Sequence, residues 1–225
     1  MASRRVPSYP DLTPSGISSI RPHGAALSMA QNEPSKTDVL LANPAPLGLM
    51  AFGTTTLLLN LANAGTIPLD SVVLAMGLLY GGAAQVVGGI FEFRKGNTFG
   101  MTAFISYGFF WISLVFILSP AQLLGASSTG ASLSAYMFVW GLFSLFMFLG
   151  TLRLNGSLMF VFGTLVILFF LLSAGFGWNN HDLLKFAGYE GVLCGLSAMY
   201  ASAATILNEV YGRVVLPVFP VKPKS

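Results

Sequence analysis

Residues 156–176 read GSLMFVFGTLVILFFLLSAGF, a run with no charged side chain. A bilayer core about 30 Å thick is crossed by about 20 consecutive apolar residues in helical form, and this run meets that length by itself. Five further segments of the same kind lie at 47–65, 70–91, 98–119, 131–151 and 185–208. Short connectors with turn residues separate them, among them Gly65-Thr66-Ile67-Pro68, Lys95-Gly96-Asn97 and Phe176-Gly177-Trp178-Asn179-Asn180. The expected fold is all-α and integral to the membrane, a bundle of six transmembrane helices.

Composition agrees with that reading. Of the 225 residues 54% are hydrophobic and 8% charged, with a mean hydropathy of +0.74. An ordinary soluble domain is about one quarter charged, so a water-facing surface cannot be assembled from this inventory. The 25 glycines and 19 phenylalanines fit a lipid setting, because glycine permits close helix approach and phenylalanine is cheap to expose there. A single cysteine, Cys194, excludes a disulfide framework and a cysteine metal cluster. The expected organisation is a disordered tail over 1–42, a six-helix transmembrane domain over 43–212 and a short C-terminal tail over 213–225. Residues 1–42 are rich in Ser and Pro and lack the apolar core of a signal peptide. Arg4, Arg5 and Arg21 faintly resemble a transit peptide, a pattern diluted by Asp11, Glu33 and Asp38.

Charge placement sets the expected orientation. Arg4, Arg5, Arg21, Lys36, Arg94, Lys95, Arg153, Arg213, Lys222 and Lys224 all fall on one side of a six-span chain, and Lys185 alone falls on the other. By the positive-inside rule both termini are cytoplasmic, and Asp70, His181 and Asp182 face outward. The basic residues are spread over tails and loops and form no single patch, so nucleic acid is not an expected partner.

Polar residues at three- and four-residue spacing mark helix faces turned away from lipid. In the first span Gly53, Thr56, Asn60 and Asn63 share a stripe, with Phe52 beneath Thr56. The second repeats Gly77, Gly81, Gln85 and Gly89. In the third Ala103, Tyr107 and Trp111 share a face, flanked by Thr102 and Ser106. The sixth carries Gly191, Gly195, Ala198, Ser202, Thr205 and Glu209. Stripes of small residues serve helix packing or border a path, and serine and threonine often bond back to their own backbone. Both readings stay open for each stripe. Buried amides such as Asn60 and Gln85 line a pore or bond a neighbouring helix.

No Lys, Arg, His, Asp or Glu falls in the middle of any span, so nothing there can form an ion pair with a permeant. Glu92 and Glu209 read as solvated or paired helix ends, and Glu190 as an acid in shallow burial. An uncharged path of hydroxyls, amides and aromatics holds a small anion or a neutral acid weakly. That suits a channel or a low-affinity carrier. A proton can cross on the undissociated acid with no titrating side chain. Nucleotide loops, metal-ligand spacings and nucleophile–base pairs are absent from the sequence, so neither an enzyme nor a cofactor is expected.

The run Asn43-Pro44-Ala45-Pro46-Leu47-Gly48-Leu49 stands at the mouth of the first span. Its prolines occupy positions whose amides have no intrahelical partner, and Asn43 suits an N-cap. Free amides on Leu47 and Gly48, at the positive helix end, could attract a carboxylate. Local physics alone allows either a plain helix start or an anion-attracting mouth.

This run, followed by Phe52-Gly53, resembles the signature of the acetate uptake transporter family, also called the YaaH or succinate-acetate permease family. Further matches are Tyr80-Gly81-Gly82 with Gln85, Gly96-Asn97-Thr98-Phe99-Gly100, and Ser106-Tyr107-Gly108-Phe109-Phe110-Trp111. Thr151-Leu152-Arg153 and Leu207-Asn208-Glu209 with Leu216-Pro217 complete the series. The resemblance implies a six-helix protomer assembled as a homo-hexamer, each protomer with its own path for acetate and related short carboxylates such as succinate. It implies a constriction at Phe52, Tyr107 and Leu165, and it places Ala198 at a position tied to substrate size. Thr56, Asn60, Gln85, Thr102 and Ser106 would then supply the polar lining. The host bilayer is expected to be a plasma membrane, with an organelle membrane as the alternative. Two other readings remain: a channel for a neutral solute such as urea or ammonia, and a membrane scaffold that transports nothing.

Overall fold

A computed structural model describes residues 41–119 and 127–221 of the chain. Six helices run through them: α1 (Ala45–Asn63), α2 (Ser71–Arg94), α3 (Thr98–Leu118), α4 (Gly130–Thr151), α5 (Gly156–Gly177) and α6 (His181–Val210), each long and apolar enough to cross a membrane. Among the described residues no strand forms, and one isolated bridge pairs Asn155 with Pro220. The expected tail over 1–42 lies, up to residue 40, outside the described residues.

Short polar side chains set the helix starts. Asp70, Asn97, Thr129, Asn155 and Asn180 each stand just before a helix and accept a hydrogen bond from one of its first free amides. Asn180, whose Oδ1 accepts from Leu183 N at 3.0 Å, explains why α6 starts at His181, a turn before the expected residue 185. At the other ends Gly65 and Gly96 adopt φ of 76° and 72°, a conformation cheap only for glycine, and stop α1 and α2.

The start of α1 departs from expectation. Pro44 is the capping residue and makes no side-chain bond. Asn43 stands one place earlier, its Oδ1 accepting from Ala45 N at 3.2 Å and from Lys95 Nζ at 3.3 Å. The amides of Leu47 and Gly48, expected to be free, both donate to the Pro44 carbonyl, at 3.1 and 3.3 Å. With Pro44 in helical conformation its carbonyl takes up both amides, so neither is open to an anion.

Close packing orders the helices around a ring: α3 on α2, α2 on α1, α1 on α6, α6 on α5 and α5 on α4. The α1–α6 contact is the tightest, because glycines bring the backbones together. A Cβ on Gly195 would lie 2.7 Å from Leu57 N, and one on Gly53 2.8 Å from the Gly195 carbonyl. Ser202 Oγ adds a hydrogen bond to the Pro46 carbonyl at 2.7 Å. The small stripe of the sixth span, Gly191 to Ser202, is thus a packing surface.

The ring closes loosely between α3 and α4, which meet through aromatic side chains. Tyr107 and Phe143 stack edge-on with centroids 5.3 Å apart, as do Phe110 and Trp140 at 5.2 Å. Tyr136 OH lies 2.7 Å from Ser113 Oγ and donates to the Phe110 carbonyl at 3.1 Å. α2 contains a π-helical stretch, Gly77–Ala84, which ends at Gln85. No regular 3.6-residue pattern signals it.

α1, α3 and α5 start, and α2, α4 and α6 finish, at the end that carries Asn43. Arg94, Lys95, Arg153 and Arg213 gather there, while Lys185 lies at the opposite end with Asp70, His181 and Asp182. Residues 213–221 fold back beneath α5, whose Gly156 and Ser157 amides donate to the carbonyls of Phe219 and Val218 at 2.7 and 3.2 Å.

Candidate permeation path

Three helices that begin at the same end put matching residues on one inner wall, turn by turn. One turn in from the mouth stand Leu49 of α1, Phe104 of α3 and Phe162 of α5. One turn further stand Phe52, Tyr107 and Leu165, and beyond them Thr56, Trp111 and Phe169. The three- and four-residue steps between these layers are the pitch of an α-helix read in parallel.

Three cavities follow the layers. The mouth cavity, about 270 Å³, lies among the helix starts and is bordered by Ala45, Leu49, Asn97, Asn155 and Phe162. An inner cavity shares Leu49, Ala103, Phe104 and Phe162 with it and adds Phe52, Gln85, Tyr107 and Leu165. An outer cavity shares Phe52 and Leu165 with the inner one and continues along Thr56, Asn60 and Trp111. Inner and outer cavities each offer about 20 Å³ to the centre of a water-sized sphere, room for about one water. Phe52 and Leu165 are the residues that divide them.

Phe52, Tyr107 and Leu165 are therefore brought together, each at most 5% exposed. The Phe52 and Tyr107 rings lie tilted with centroids 5.8 Å apart. The Tyr107 hydroxyl turns to α4, 2.8 Å from Ser144 Oγ. Gln85 borders the inner cavity with its Oε1 buried and without a hydrogen-bond partner. Thr56 and Asn60 border the outer cavity, where the Asn60 amide donates to the Thr56 carbonyl at 2.9 Å and accepts from Asn63 Nδ2 at 3.0 Å.

Other expected residues lie elsewhere. Thr102 and Ser106 are partly exposed beside the path face and border none of these three cavities. Ala198 is fully buried on α6 and likewise borders none of them. Of the Asn43–Leu49 run, Ala45 and Leu49 reach the mouth wall.

Several residues on the path were not singled out for it by sequence reasoning, among them Phe104, Phe162, Phe169, Asn97, Asn155 and Trp111. Asn97 and Asn155 border the mouth as the caps of α3 and α5. Trp111 borders the outer cavity with its indole Nε1 buried and unpartnered. For these last three the signal was present as two capping asparagines and as the position four residues after Tyr107.

The acids among the described residues sit off this path. Glu92, expected as a solvated or base-paired helix end, is 1% exposed, and its Oε2 accepts from Asn97 Nδ2 at 2.7 Å. It is held by the cap of the next helix because the tight Gly96 turn folds Asn97 back over it. Glu190 keeps both carboxylate oxygens buried with no partner. Glu209 and Arg213 are both exposed.

No charged residue borders any of the three cavities. The starts of α1, α3 and α5 meet at the mouth, with Lys95 and Arg153 in the adjoining turns, and first-turn amides of each are already engaged by Pro44, Asn97, Asn155 and the Phe219 and Val218 carbonyls. Among the described residues no group of three or more His, Cys, Asp or Glu is placed to hold a metal ion.

The family model described as GPR1/FUN34/yaaH family matches residues 26–222. The succinate-acetate/proton symporter SatP of Escherichia coli K12 is 52% identical over 179 residues, which cover 79% of this chain and 95% of that protein. Acetate permease A of Emericella nidulans is 34% identical over 202 residues, covering 81% of this chain and 68% of that protein. Among solved structures, that of the bacterial acetate channel SatP matches with a TM-score of 0.77 at 52% identity, over 79% of this chain and 99% of that one. With six membrane-length helices and these relatives, this is a multi-pass membrane protein. The matched length, the identities and the shared helical architecture together establish that the chain belongs to the GPR1/FUN34/yaaH family.

Proposed function

We propose that this protein moves acetate and related short carboxylates, succinate among them, across a membrane through the path between α1, α3 and α5. The observation that carries the reading is the in-line series of cavities divided at Phe52 and Leu165, with polar groups but no fixed charge on its walls. Relatives named as a succinate-acetate/proton symporter and an acetate permease support the choice of carboxylate. Lys95 and Arg153, in the turns adjoining the mouth, raise the local concentration of the anion, and a neutral, narrow interior holds it weakly. Phe52, Tyr107 and Leu165 act as the constriction, and Gln85, Thr56 and Asn60 as polar stations on either side.

The basic residues at the Asn43 end support a cytoplasmic mouth with both termini inside. The plasma membrane is the proposed site. Residues 43–212 form the transport domain, with tails over 1–42 and 213–225. The family resemblance and an apolar groove between α5 and α6, lined by Phe160, Leu193 and Leu196, support assembly as a homo-hexamer. Native mass spectrometry checks that assembly.

Labelled acetate and labelled urea uptake by proteoliposomes, compared with protein-free vesicles, tests the function. Protein-dependent acetate uptake that unlabelled succinate competes with is expected. Urea flux without acetate flux would mean a neutral-solute channel, and flux of neither would mean a scaffold.

A further inference from the structure

The geometry points to a site for one anionic phospholipid in the groove between α5 and α6, with the headgroup at Arg153, the ester region at Ser157 and an acyl chain laid against Phe160, Leu196 and Leu193. The groove encloses about 570 Å³, within the range of about 300–1,000 Å³ typical of small-molecule sites. It shares no lining residue with the mouth, inner or outer cavity, so it is separate from the permeation path.

The antiparallel helices order the lining by depth. Ser157 stands in the first turn of α5, where its amide donates to the Val218 carbonyl, and the Tyr200 hydroxyl of α6 donates to the carbonyl of the preceding residue, Pro217. Both therefore mark the water-side end of the groove. Phe160 lies one turn deeper on α5, and Leu196 and Leu193 one and two turns deeper on α6. From Tyr200 to Leu193 is about 10 Å at 1.5 Å per residue, whereas one leaflet contributes about 15 Å of hydrocarbon. A helix of a second copy needs a track along most of the bundle. A lipid tail needs one leaflet, which is what the groove offers. In the proposed hexamer the neighbouring copy lies over this lipid, not in the groove.

The water-side end carries the polar features. Ser157 borders the groove, is 8% exposed, and its hydroxyl has no hydrogen-bond partner. The other two hydroxyls on the groove, of Ser197 and Tyr200, donate to the Cys194 and Pro217 carbonyls at 2.7 and 2.9 Å. An unsatisfied buried hydroxyl is costly, and the ester carbonyl of a lipid supplies the acceptor it lacks. Phe219 is exposed at this end and held at φ of 55°, a conformation that bulky side chains rarely adopt. Arg153 stands four residues before Ser157, in the exposed turn between α4 and α5. Among the described residues its side chain has no hydrogen-bond or ion-pair partner, and no carboxylate borders the groove. From water inward, Arg153, Ser157 and Phe160 thus present a cation, a hydroxyl donor and an apolar ring, matching the order phosphate, ester and acyl chain. Guanidinium suits a phosphate, and a headgroup without a cation of its own suits it better than a zwitterionic one.

Native mass spectrometry of the full chain tests this, after incubation in detergent with equal amounts of phosphatidylglycerol and phosphatidylcholine of identical acyl chains and removal of loosely held lipid. About one lipid per protomer should survive, with phosphatidylglycerol favoured about fivefold, the weight of one basic residue beside an anionic lipid. Arg153→Gln, at an exposed position, should bring the two lipids near parity while the number retained stays close to one. Leu193→Trp, which fills the groove, should release both. Lipid retention is a readout that the steering role of Arg153 at the mouth does not move. Equal retention of the two lipids by the wild type overturns the proposal, as does an unchanged preference in Arg153→Gln, whether or not Leu193→Trp folds. Retention of the wild-type number by folded Leu193→Trp places the lipid elsewhere and overturns it too. A folded wild-type hexamer that retains no lipid gives the groove to a second copy, which is equally fatal.

Discussion

The Tyr107 hydroxyl lies 2.8 Å from that of Ser144, and both residues are buried, so the ring that borders the path is anchored from the side facing away from it. Tyr107→Phe keeps the ring against Phe52 and Phe143 but strands the Ser144 hydroxyl. A buried group left unsatisfied costs about 1–3 kcal/mol. The melting temperature in detergent should fall while discrimination between acetate and lactate stays as in the wild type. Altered discrimination with unchanged melting would mean that the hydroxyl, not the ring, meets the permeant.

Removing a ring at the constriction should do the reverse. Phe52→Ala would merge the two small cavities and Tyr107→Ala would widen the inner one, so both should admit bulkier acids and raise lactate uptake relative to acetate uptake. Large aromatic truncations cost about 3–5 kcal/mol in a packed core, so Phe52→Leu serves as the milder variant. Unchanged uptake and unchanged acetate-to-lactate discrimination, at normal protein levels, would sink the constriction assignment.

Helix number and most limits were legible in the sequence because each span is a long, mainly apolar run closed by capping residues such as Asn97 and Asn155, whose signals are local; the start of α6 and the cap of α1 were not. The matching of Phe52, Tyr107 and Leu165 was legible only through the family resemblance, since nothing in one helix's periodicity says which turn of another it faces. Gln85 could be read as pointing inward, because an amide in a span avoids lipid. That its oxygen lacks a partner depends on α1, α3 and α5 together, which a single sequence does not place. Glu92 misled for a related reason: two basic neighbours suggested a solvated end, whereas the Gly96 turn folds Asn97 over it.

Asn97 joins two elements at the mouth. Its Nδ2 donates to Glu92 Oε2 at 2.7 Å, and its Oδ1 accepts from Gly100 N at 3.1 Å. Asn97→Ala removes a helix cap, worth about 0.5–2 kcal/mol, and also leaves the buried Glu92 carboxylate without its donor. Asn97→Asp keeps the cap but sets a second carboxylate against the first. Both variants should therefore melt below the wild type. Replacing Glu92 as well, in Glu92→Gln with Asn97→Asp, restores a donor opposite an acceptor and should recover most of the loss. Equal melting of the single and double variants would show that the pair does not act as a unit.

The C-terminal segment is held by two side chains of α6, Asn208 and Tyr200. Asn208 Oδ1 accepts from Val215 N and Leu216 N at 2.6 and 3.0 Å, and its Nδ2 donates to the Leu216 carbonyl at 2.8 Å. Tyr200 OH fixes the next residue, donating to the Pro217 carbonyl at 2.9 Å. Held in this way, the segment offers the Phe219 and Val218 carbonyls to the first amides of α5, beside Asn155 and Leu158 at the mouth. Asn208→Ala removes three hydrogen bonds at about 1 kcal/mol each, although water at the membrane surface replaces part of that. A fall of about 1–3 kcal/mol in stability is expected, together with a slower acetate rate as the start of α5 loosens. Asn208→Asp keeps both acceptor bonds and should lie between the two. If Asn208→Ala melts lower but transports acetate at the wild-type rate, the segment stabilises α5 without shaping the mouth.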